Sequence, residues 1–239
     1  MTVLVTDISF WQDDPTTPQK VDFTAMSKNA AGVIIRAGQN TWVDKSFPYH
    51  WQASKGIMPR GSYWFYDSRS HPKVQAELWV KTLGGDLGEM GLWCDFEERY
   101  GGSYGSWKHW YDFMEAVKAL VPTAKLGVYT GYYYFVEKTA LATNAQLAYF
   151  GKYPLWIAAY NNTSPRIPPP WKDYKLWQFT DNGDGSLYGV ESKNIDLNVY
   201  NGTLSQFQVE YGLGESPSEP VTVRLVADYN GRKVEYKNV

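Results

Sequence analysis

Three acids within four residues follow a hydrophobic run in segment 91–98, which reads GLWCDFEE. Asp95 and Glu97 are two residues apart, so on a β-strand their side chains point to the same side, roughly 6.6 Å apart along it. Two carboxyls on one face can act on adjacent atoms of a single substrate. Cys94 and Phe96 have the opposite parity, and we expect them to face the packed core.

Further acids stand on other predicted strands. Asp7 ends the first apolar run, and Asp196 lies in the last run before the C-terminal tail. In parallel barrels the C-terminal ends of the strands form the rim that carries the active site, so we expect the four carboxyls to approach one another. Clustered carboxyls raise each other's pKa, which a general acid at neutral pH requires. The sequence therefore predicts acid catalysis at this rim.

A metal site is the competing use of clustered acids, because hard cations take oxygen ligands alone. The single Cys94 and the three widely spaced histidines give no zinc signature, and we predict neither a metal nor a cofactor. His50, His71 and His109 are expected at the surface or at helix caps. Aromatic rings accompany the acids and favour a carbohydrate site over a phosphate site. They are Tyr63, Phe65, Tyr129, Trp156 and Tyr160.

Composition narrows the classes of partner. The chain of 239 residues has a formal net charge of −2 and no Lys/Arg cluster, which argues against a nucleic-acid partner. It contains no apolar run long enough to span a bilayer, and we predict no stable membrane association. The N-terminal segment lacks the features of a signal peptide. We therefore expect synthesis in a cytoplasm and, for any action outside it, release by another agent.

Short apolar runs alternate with amphipathic stretches along the first two thirds of the chain. This order predicts an α/β fold with a parallel sheet closed into a TIM-like barrel. Beyond Tyr160 the helical patterns fade, so the last strands are expected to join without helices, and TDNGDGSLYGVES is expected to form a hairpin connection. Helices are predicted at 22–29, 71–85 and 106–122. Strands are predicted at 3–9, 31–38, 61–66, 91–97, 125–130, 154–160, 175–180 and 194–200.

The C-terminal part of the chain has a different composition. We predict a barrel over residues 1–208, a linker over 209–220 and a β tail over 221–239. The tail resembles a two-stranded hairpin that turns at 229–231. Two strands alone are marginally stable, so the tail either docks on the barrel, pairs with another copy or begins a further module. The oligomeric state is left open by the sequence.

Eight segments, taken in order, resemble the motifs of a known family, glycoside hydrolase family 25, the N-acetylmuramidases or Chalaropsis-type lysozymes. The resemblance covers about residues 1–208 and excludes the tail. It is weakest in the variable loop DNGDGSLYGVES. The matching segments are DISFWQ, VIIRAG, GSYWFY, WCDFE, LGVYT, PLWIAAY, LWQFT and IDLNVYNG.

The resemblance implies a (β/α)5(β)3 barrel that hydrolyses the β-1,4 bond between N-acetylmuramic acid and N-acetylglucosamine in bacterial peptidoglycan, with net retention. The absence of signal-peptide features and the predicted linker and tail after the barrel suit a phage or prophage endolysin, or a bacterial autolysin exported another way. The family's acid maps onto Glu97 and its neighbouring carboxylate onto Asp95, with Asp7 and Asp196 completing the set. Groove positions map more loosely onto Tyr63, Phe65, Tyr129, Trp156, Tyr160 and Gln178.

The route of retention stays open in the sequence. Either Asp95 attacks the anomeric carbon, or it orients the acetamido group of the substrate for that attack, and the second route is favoured. A chitinase-like barrel hydrolase, a non-catalytic wall-binding barrel and an acid-clustered metal hydrolase are the rival classes.

Overall fold

A computed structural model describes residues 2–13, 16–160, 163–213, 225–229 and 232–236. Eight strands close into a barrel, because the first and second strands also pair with each other. A ninth strand of the same sheet, β3 (Trp42–Val43), pairs antiparallel with the end of β2. The barrel strands are β1 (Leu4–Ile8), β2 (Gly32–Gln39), β4 (Arg60–Phe65), β5 (Leu92–Phe96), β6 (Leu126–Gly131), β7 (Leu155–Ala158), β8 (Leu176–Asp184) and β9 (Asn194–Tyr200).

The strand directions confirm the predicted α/β barrel. Strands β1, β2 and β4 to β8 are parallel to one another, whereas β9 runs antiparallel to both β8 and β1. One expectation needs correction, because Asp196 lies near the start of its strand and not at the end. Since β9 is reversed, its start lies on the same rim as the ends of the parallel strands.

The helices follow the first five barrel strands, as a (β/α)5(β)3 barrel requires. The three predicted helices are present as α1, α3 and α4, and the sequence reading missed four others. Between β7 and β9 the described residues form a 3₁₀ turn, Gly185–Tyr188, and no α-helix. The helices are α1 (Phe23–Met26), α2 (Phe47–Ala53), α3 (Pro72–Leu83), α4 (Trp107–Leu120), α5 (Tyr132–Thr139), α6 (Asn144–Phe150) and α7 (Leu204–Tyr211).

Strand parity separates two apolar layers. Ile34 and Trp93 belong to the cluster inside the barrel, whereas Cys94 and Phe96 pack in the layer between the strands and the helices. The expected orientation of Cys94 and Phe96 is therefore confirmed. Inside the barrel, a Cβ on Gly127 would lie 2.3 Å from the ring of Trp93, so only glycine leaves room for this ring.

The final helix closes the base of the barrel. Phe207 and Tyr211 of α7 are buried in the interior cluster, so barrel packing continues to Tyr211, three residues beyond the predicted boundary. In the tail, β10 (Leu225–Tyr229) and β11 (Arg232–Tyr236) pair antiparallel. The predicted linker residues 214–220 and the turn residues 230–231 lie outside the described residues.

The expectation for one histidine was wrong. His50 is fully buried on α2, with Nε2 3.4 Å from Oδ2 of Asp13. Burial lowers the pKa of His50 to about 4, so the ring is neutral at physiological pH. His71 accepts a hydrogen bond from the backbone N–H of Lys73 and caps α3 as expected.

Candidate active site

The four predicted carboxyls meet at one rim of the barrel. Asp7 and Asp95 point inward from β1 and β5, and Glu97 follows β5 by one residue. Asp196 is the register partner of Asp7 across the β1–β9 pair. Three of these carboxyls lie close enough to interact, because the charges of Glu97 and Asp7 both raise the pKa of Asp95.

Asp7 is held by two side-chain amides. Its Oδ2 atom accepts hydrogen bonds from Nε2 of Gln178 at 3.0 Å and from Nδ2 of Asn198 at 2.8 Å. These bonds lower the pKa of Asp7, but burial outweighs them and the net shift is upward. Asp7 is therefore fixed in orientation by neutral donors, and no Lys or Arg among the described residues forms a hydrogen bond or an ion pair with it.

Gln178 connects Asp7 to two tyrosines. Its Oε1 atom accepts hydrogen bonds from the hydroxyls of Tyr129 at 2.8 Å and Tyr160 at 2.9 Å. The Tyr129 hydroxyl also lies 3.4 Å from Oε2 of Glu97. A continuous chain of polar contacts thus runs from Asp7 to Glu97, so the orientation of each carboxyl depends on the same amide.

Asp95 is buried, with 2% of its surface exposed, and its Oδ1 atom has no hydrogen-bond partner among the described residues. Burial raises the pKa of Asp95 well above its usual range, and the charges of Glu97 and Asp7 add to this effect, whereas Arg36 opposes it. A buried, unsatisfied carboxyl oxygen is costly unless another group bonds to it. Asp95 is therefore prepared for a polar group of the substrate.

Glu97 stands at the open mouth of the site. Its side chain is accessible to solvent. Its pKa is nevertheless raised to about 7, mainly by partial burial and also by the charge of Asp7. The two observations agree in a concave site, where water reaches one side of a carboxyl that protein atoms otherwise surround. Glu97 thus binds its proton up to about neutral pH and remains open to solvent, as a general acid requires.

Asp196 is a second carboxyl of the cluster whose pKa lies well above its ordinary value. Burial raises its pKa to about 9, and the charge of Asp7 and a hydrogen bond to Asp7 reinforce the shift. The same hydrogen bond lowers the pKa of Asp7, so within the pair the proton is bound more tightly by Asp196 than by Asp7. Two carboxyls in contact share one proton, because two negative charges at this distance would repel each other.

The predicted aromatic residues lie at different depths. Tyr63 and Phe65 are half-buried, and Tyr160 is 57% exposed, so these three can present ring surface to a ligand. Tyr129 is 5% exposed and contributes its hydroxyl to the polar chain. Trp156 is 1% exposed and lies beneath the site, with its ring centroid 4.5 Å from that of Tyr129.

Two functional residues escaped the sequence reading. Asn198 donates to Asp7 and accepts from Nε1 of Trp156 at 2.6 Å, and its position two residues after Asp196 was the available signal. Arg36 points into the barrel from β2, and its Nε donates to Asp44 at 2.8 Å. A charge inside the apolar run VIIRAG was the signal for Arg36. Its Nη2 has no partner among the described residues, and its charge lowers the pKa of Asp95.

The part of the chain that the structure describes contains no group of three or more His, Cys, Asp or Glu side chains arranged to hold a metal ion. None of its helices is long and apolar enough to cross a membrane.

The fold and the site define a class. An α/β barrel that gathers carboxyls at the C-terminal rim of its strands, with one carboxyl protonated near neutral pH and an unsatisfied one beside it, has the machinery of a glycoside hydrolase. The family model of glycosyl hydrolases family 25 matches residues 6–187. The chain belongs to this family and is a glycoside hydrolase.

Individual proteins share sequence or fold with this chain. Over 221 residues the chain is 27% identical to the uncharacterized protein YegX of Escherichia coli (strain K12), covering 88% of this chain and 74% of the relative. The fold matches the bacterial lysozyme from Streptomyces coelicolor with a TM-score of 0.72, at 22% identity over 89% of this chain and 98% of that one.

Two further structures share the fold. The muramidase from Trichobolus zukalii matches with a TM-score of 0.67 and 26% identity, covering 88% of this chain and 99% of that one. The catalytic domain of endolysin ply40 from bacteriophage P40 of Listeria monocytogenes matches with a TM-score of 0.67 and 24% identity, covering 89% and 98%.

Proposed function

We propose that this glycoside hydrolase is a lysozyme, an endo-N-acetylmuramidase that cleaves the β-1,4 bond between N-acetylmuramic acid and N-acetylglucosamine in bacterial peptidoglycan. The observation that carries the proposal is the pairing of Glu97, whose pKa is raised to about 7, with the buried Asp95 and its unsatisfied oxygen. Membership of family 25 and the likeness to the Trichobolus zukalii muramidase support the choice of substrate.

In the proposed first step, Glu97 transfers its proton to the glycosidic oxygen. The bond from this oxygen to the anomeric carbon breaks, and the N-acetylglucosamine side of the glycan leaves as an alcohol. The carbonyl oxygen of the muramic acid acetamido group forms a bond to the anomeric carbon from the opposite face. Asp95 accepts a hydrogen bond from the acetamido N–H and stabilises the positive charge that develops there.

In the second step, the carboxylate of Glu97 takes a proton from water as the water oxygen attacks the anomeric carbon. The acetamido carbonyl is released, and the product keeps the configuration of the substrate. Arg36 favours the ionised form of Asp95 that this role requires, since it lowers the pKa against the effect of burial. Asp7 serves Glu97 through its charge, which raises the pKa of the acid.

Direct attack by Asp95 on the anomeric carbon also gives retention, and a modified substrate separates the two routes. Glycan whose muramic acid lacks the N-acetyl group should not be cleaved if the acetamido group is the nucleophile. Normal cleavage of this glycan, or a glycosyl ester trapped on Asp95, would replace the assisted route with the direct one.

Substrate preference tests the function against its rivals. The protein should release new reducing ends from purified peptidoglycan and none from chitin. A chitinase-like hydrolase would cut chitin, and a wall-binding barrel without activity would sediment with peptidoglycan and release nothing. Treatment with a chelator should leave the rate unchanged, whereas a metal-dependent hydrolase would lose activity.

We further propose that the enzyme acts in bacterial cell-wall lysis as an endolysin, made in the host cytoplasm and reaching the wall after release. The likeness to the catalytic domain of the bacteriophage P40 endolysin supports this role. Expression in a bacterial cytoplasm should be tolerated until the membrane is permeabilised, and lysis should then follow within minutes. Lysis without permeabilisation would contradict the proposed route of release.

A further inference from the structure

A cavity opens at the catalytic rim, beside the carboxyl cluster. It has a volume of about 460 Å³ and lies between the segments that follow β5, β6 and β7. Tyr160 forms part of its wall and also donates to Gln178 in the polar chain of the active site. Arg99, another wall residue, follows Glu97 by two positions. A ligand in the active site could therefore extend into this cavity.

Arg166 gives the cavity a fixed positive charge. Its Nη1 and Nη2 atoms donate to the hydroxyls of Tyr133 at 2.9 Å and Tyr132 at 3.0 Å, and the guanidinium lies 4.1 Å from the ring centroid of Tyr132. No acidic side chain among the described residues forms an ion pair with Arg166. A guanidinium has five N–H donors, so three remain available after the two bonds to tyrosine.

Two further features add positive potential. Arg99 forms an ion pair with Glu137 at 3.1 Å, but both side chains are more than half exposed, so this pair is weak and easily exchanged. Helix α5 begins at Tyr132 beside the cavity, and its N-cap, Gly131, provides no side-chain hydrogen bond. The positive end of the helix dipole therefore lies beside the same region.

We propose that this cavity binds carboxylates of the peptide attached to muramic acid, which makes it a stem-peptide subsite; the inference rests on the proposed muramidase function. A planar guanidinium matches a carboxylate through paired N–H donors. The stem peptide is joined to the sugar whose glycosidic bond would be cut, so its carboxylates travel with the substrate. Phosphate-rich wall polymers have no such fixed relation to that bond.

The test compares variants on soluble glycan with and without stem peptides. Arg166→Gln should lower kcat/KM on peptide-bearing glycan by about tenfold or more, the effect expected for a lost charge-assisted hydrogen bond. The same variant should cleave peptide-free glycan at the rate of the unmodified protein. Arg166→Lys should recover part of the loss, because it keeps the charge without the paired donors. Lys28→Gln, which removes an exposed charge at the base of the barrel, is the matched control.

Two substrate treatments identify the group that is bound. Amidation of the stem carboxyls should reduce kcat/KM of the unmodified protein and leave Arg166→Gln unaffected. Removal of phosphate polymers from intact walls should change the activity of neither the unmodified protein nor Arg166→Gln. If the difference in activity between the two proteins disappeared on such walls, the proposal would be overturned.

Equal losses on both glycans would also overturn the stem-peptide subsite, because they would place Arg166 in glycan binding or folding. Equal activity of both proteins on peptide-bearing glycan would overturn it as well. If the unmodified protein cleaved neither glycan, the proposed function itself would fail, which is a distinct result.

Discussion

Asp7 and Asp196 face each other as register partners on the antiparallel strands β1 and β9 and share a hydrogen bond at the rim of the barrel. The pKa of Asp196 is raised to about 9, whereas the hydrogen bond from Asp196 lowers the pKa of Asp7, so within the pair the negative charge is favoured on Asp7. This charge raises the pKa of Glu97. The reversal of the last barrel strand thus contributes directly to the protonation of the proposed acid.

Replacement of the acid should abolish turnover without loss of the fold. Glu97→Gln is expected to lower the rate of reducing-end release by about 10²- to 10⁴-fold, the usual contribution of general acid catalysis. The thermal unfolding temperature should change little, because Glu97 is open to solvent. Glu98→Gln is the matched control, since Oε2 of Glu98 accepts from the backbone N–H of Tyr100 at 2.7 Å and an amide oxygen can replace it. Full activity of Glu97→Gln would remove Glu97 from the mechanism.

Neutralising Asp7 should make Glu97 a stronger acid. Because the charge of Asp7 raises the pKa of Glu97, Asp7→Asn should lower that pKa. Glu97 then loses its proton at a lower pH, so the alkaline limb of the kcat/KM profile should move toward acid. Asp112→Asn, an exposed change on α4, should leave the limb in place. An unmoved limb in Asp7→Asn would show that the charge of Asp7 does not reach the acid.

Removing the Tyr129 hydroxyl should shift the same limb in the opposite direction. This hydroxyl lies 3.4 Å from Oε2 of Glu97 and lowers its pKa by stabilising the charged form. Tyr129→Phe should therefore raise the pKa, and the alkaline limb should move to higher pH. Shifts of the same sign in Tyr129→Phe and Asp7→Asn, measured over one pH series, would contradict these opposing roles.

Asp95→Asn should stabilise the fold at neutral pH while it impairs catalysis. The folded state raises the pKa of Asp95 above its usual value of 3.8, so the folded protein binds the proton more tightly than the unfolded chain. The free energy of unfolding then falls as the pH rises from that usual value through the folded pKa. Asn carries no charge and avoids this loss, and we expect a gain on the order of 1 kcal/mol near pH 7.

Calorimetry at several pH values measures this gain. The difference in Tm between Asp95→Asn and the unmodified protein should be about 2–4 °C near neutral pH for a chain of this size and should shrink toward pH 4. A difference that does not depend on pH would assign the effect to packing and not to the charge of Asp95.

The apolar runs and the alternation of side chains along each strand allowed most of the barrel and the positions of its acids to be predicted from the sequence. The apolar runs predicted all eight barrel strands, and parity placed Asp95 inside the barrel and Cys94 outside it. Helices α5 and α6 were missed, since the aromatic segment YYYF has no clear helical period. The hairpin connection expected between the last two strands agrees with the antiparallel pairing of β8 and β9, but the position of Asp196 at the start of β9 was missed.

The sequence predicted which way a side chain faces better than it predicted how deep in the barrel that side chain lies. Trp156 faces inward as predicted but lies below the site, because the pairing of Ala158 with Gln178 places Trp156 one inward position deeper. The register between strands determines this depth, and it cannot be read from the sequence of one strand alone. Arg36 was overlooked for a related reason, because its role depends on Asp44, Asp95 and the aromatic rings of other segments.

The chemical identity of the new chain ends tests the central claim most directly. Purified peptidoglycan is digested with the protein, the reducing ends are reduced with borodeuteride, and the fragments are sequenced by mass spectrometry. The account predicts that the deuterium label lies on N-acetylmuramic acid in every glycan fragment. Label on N-acetylglucosamine, or released peptides without new reducing ends, would contradict it.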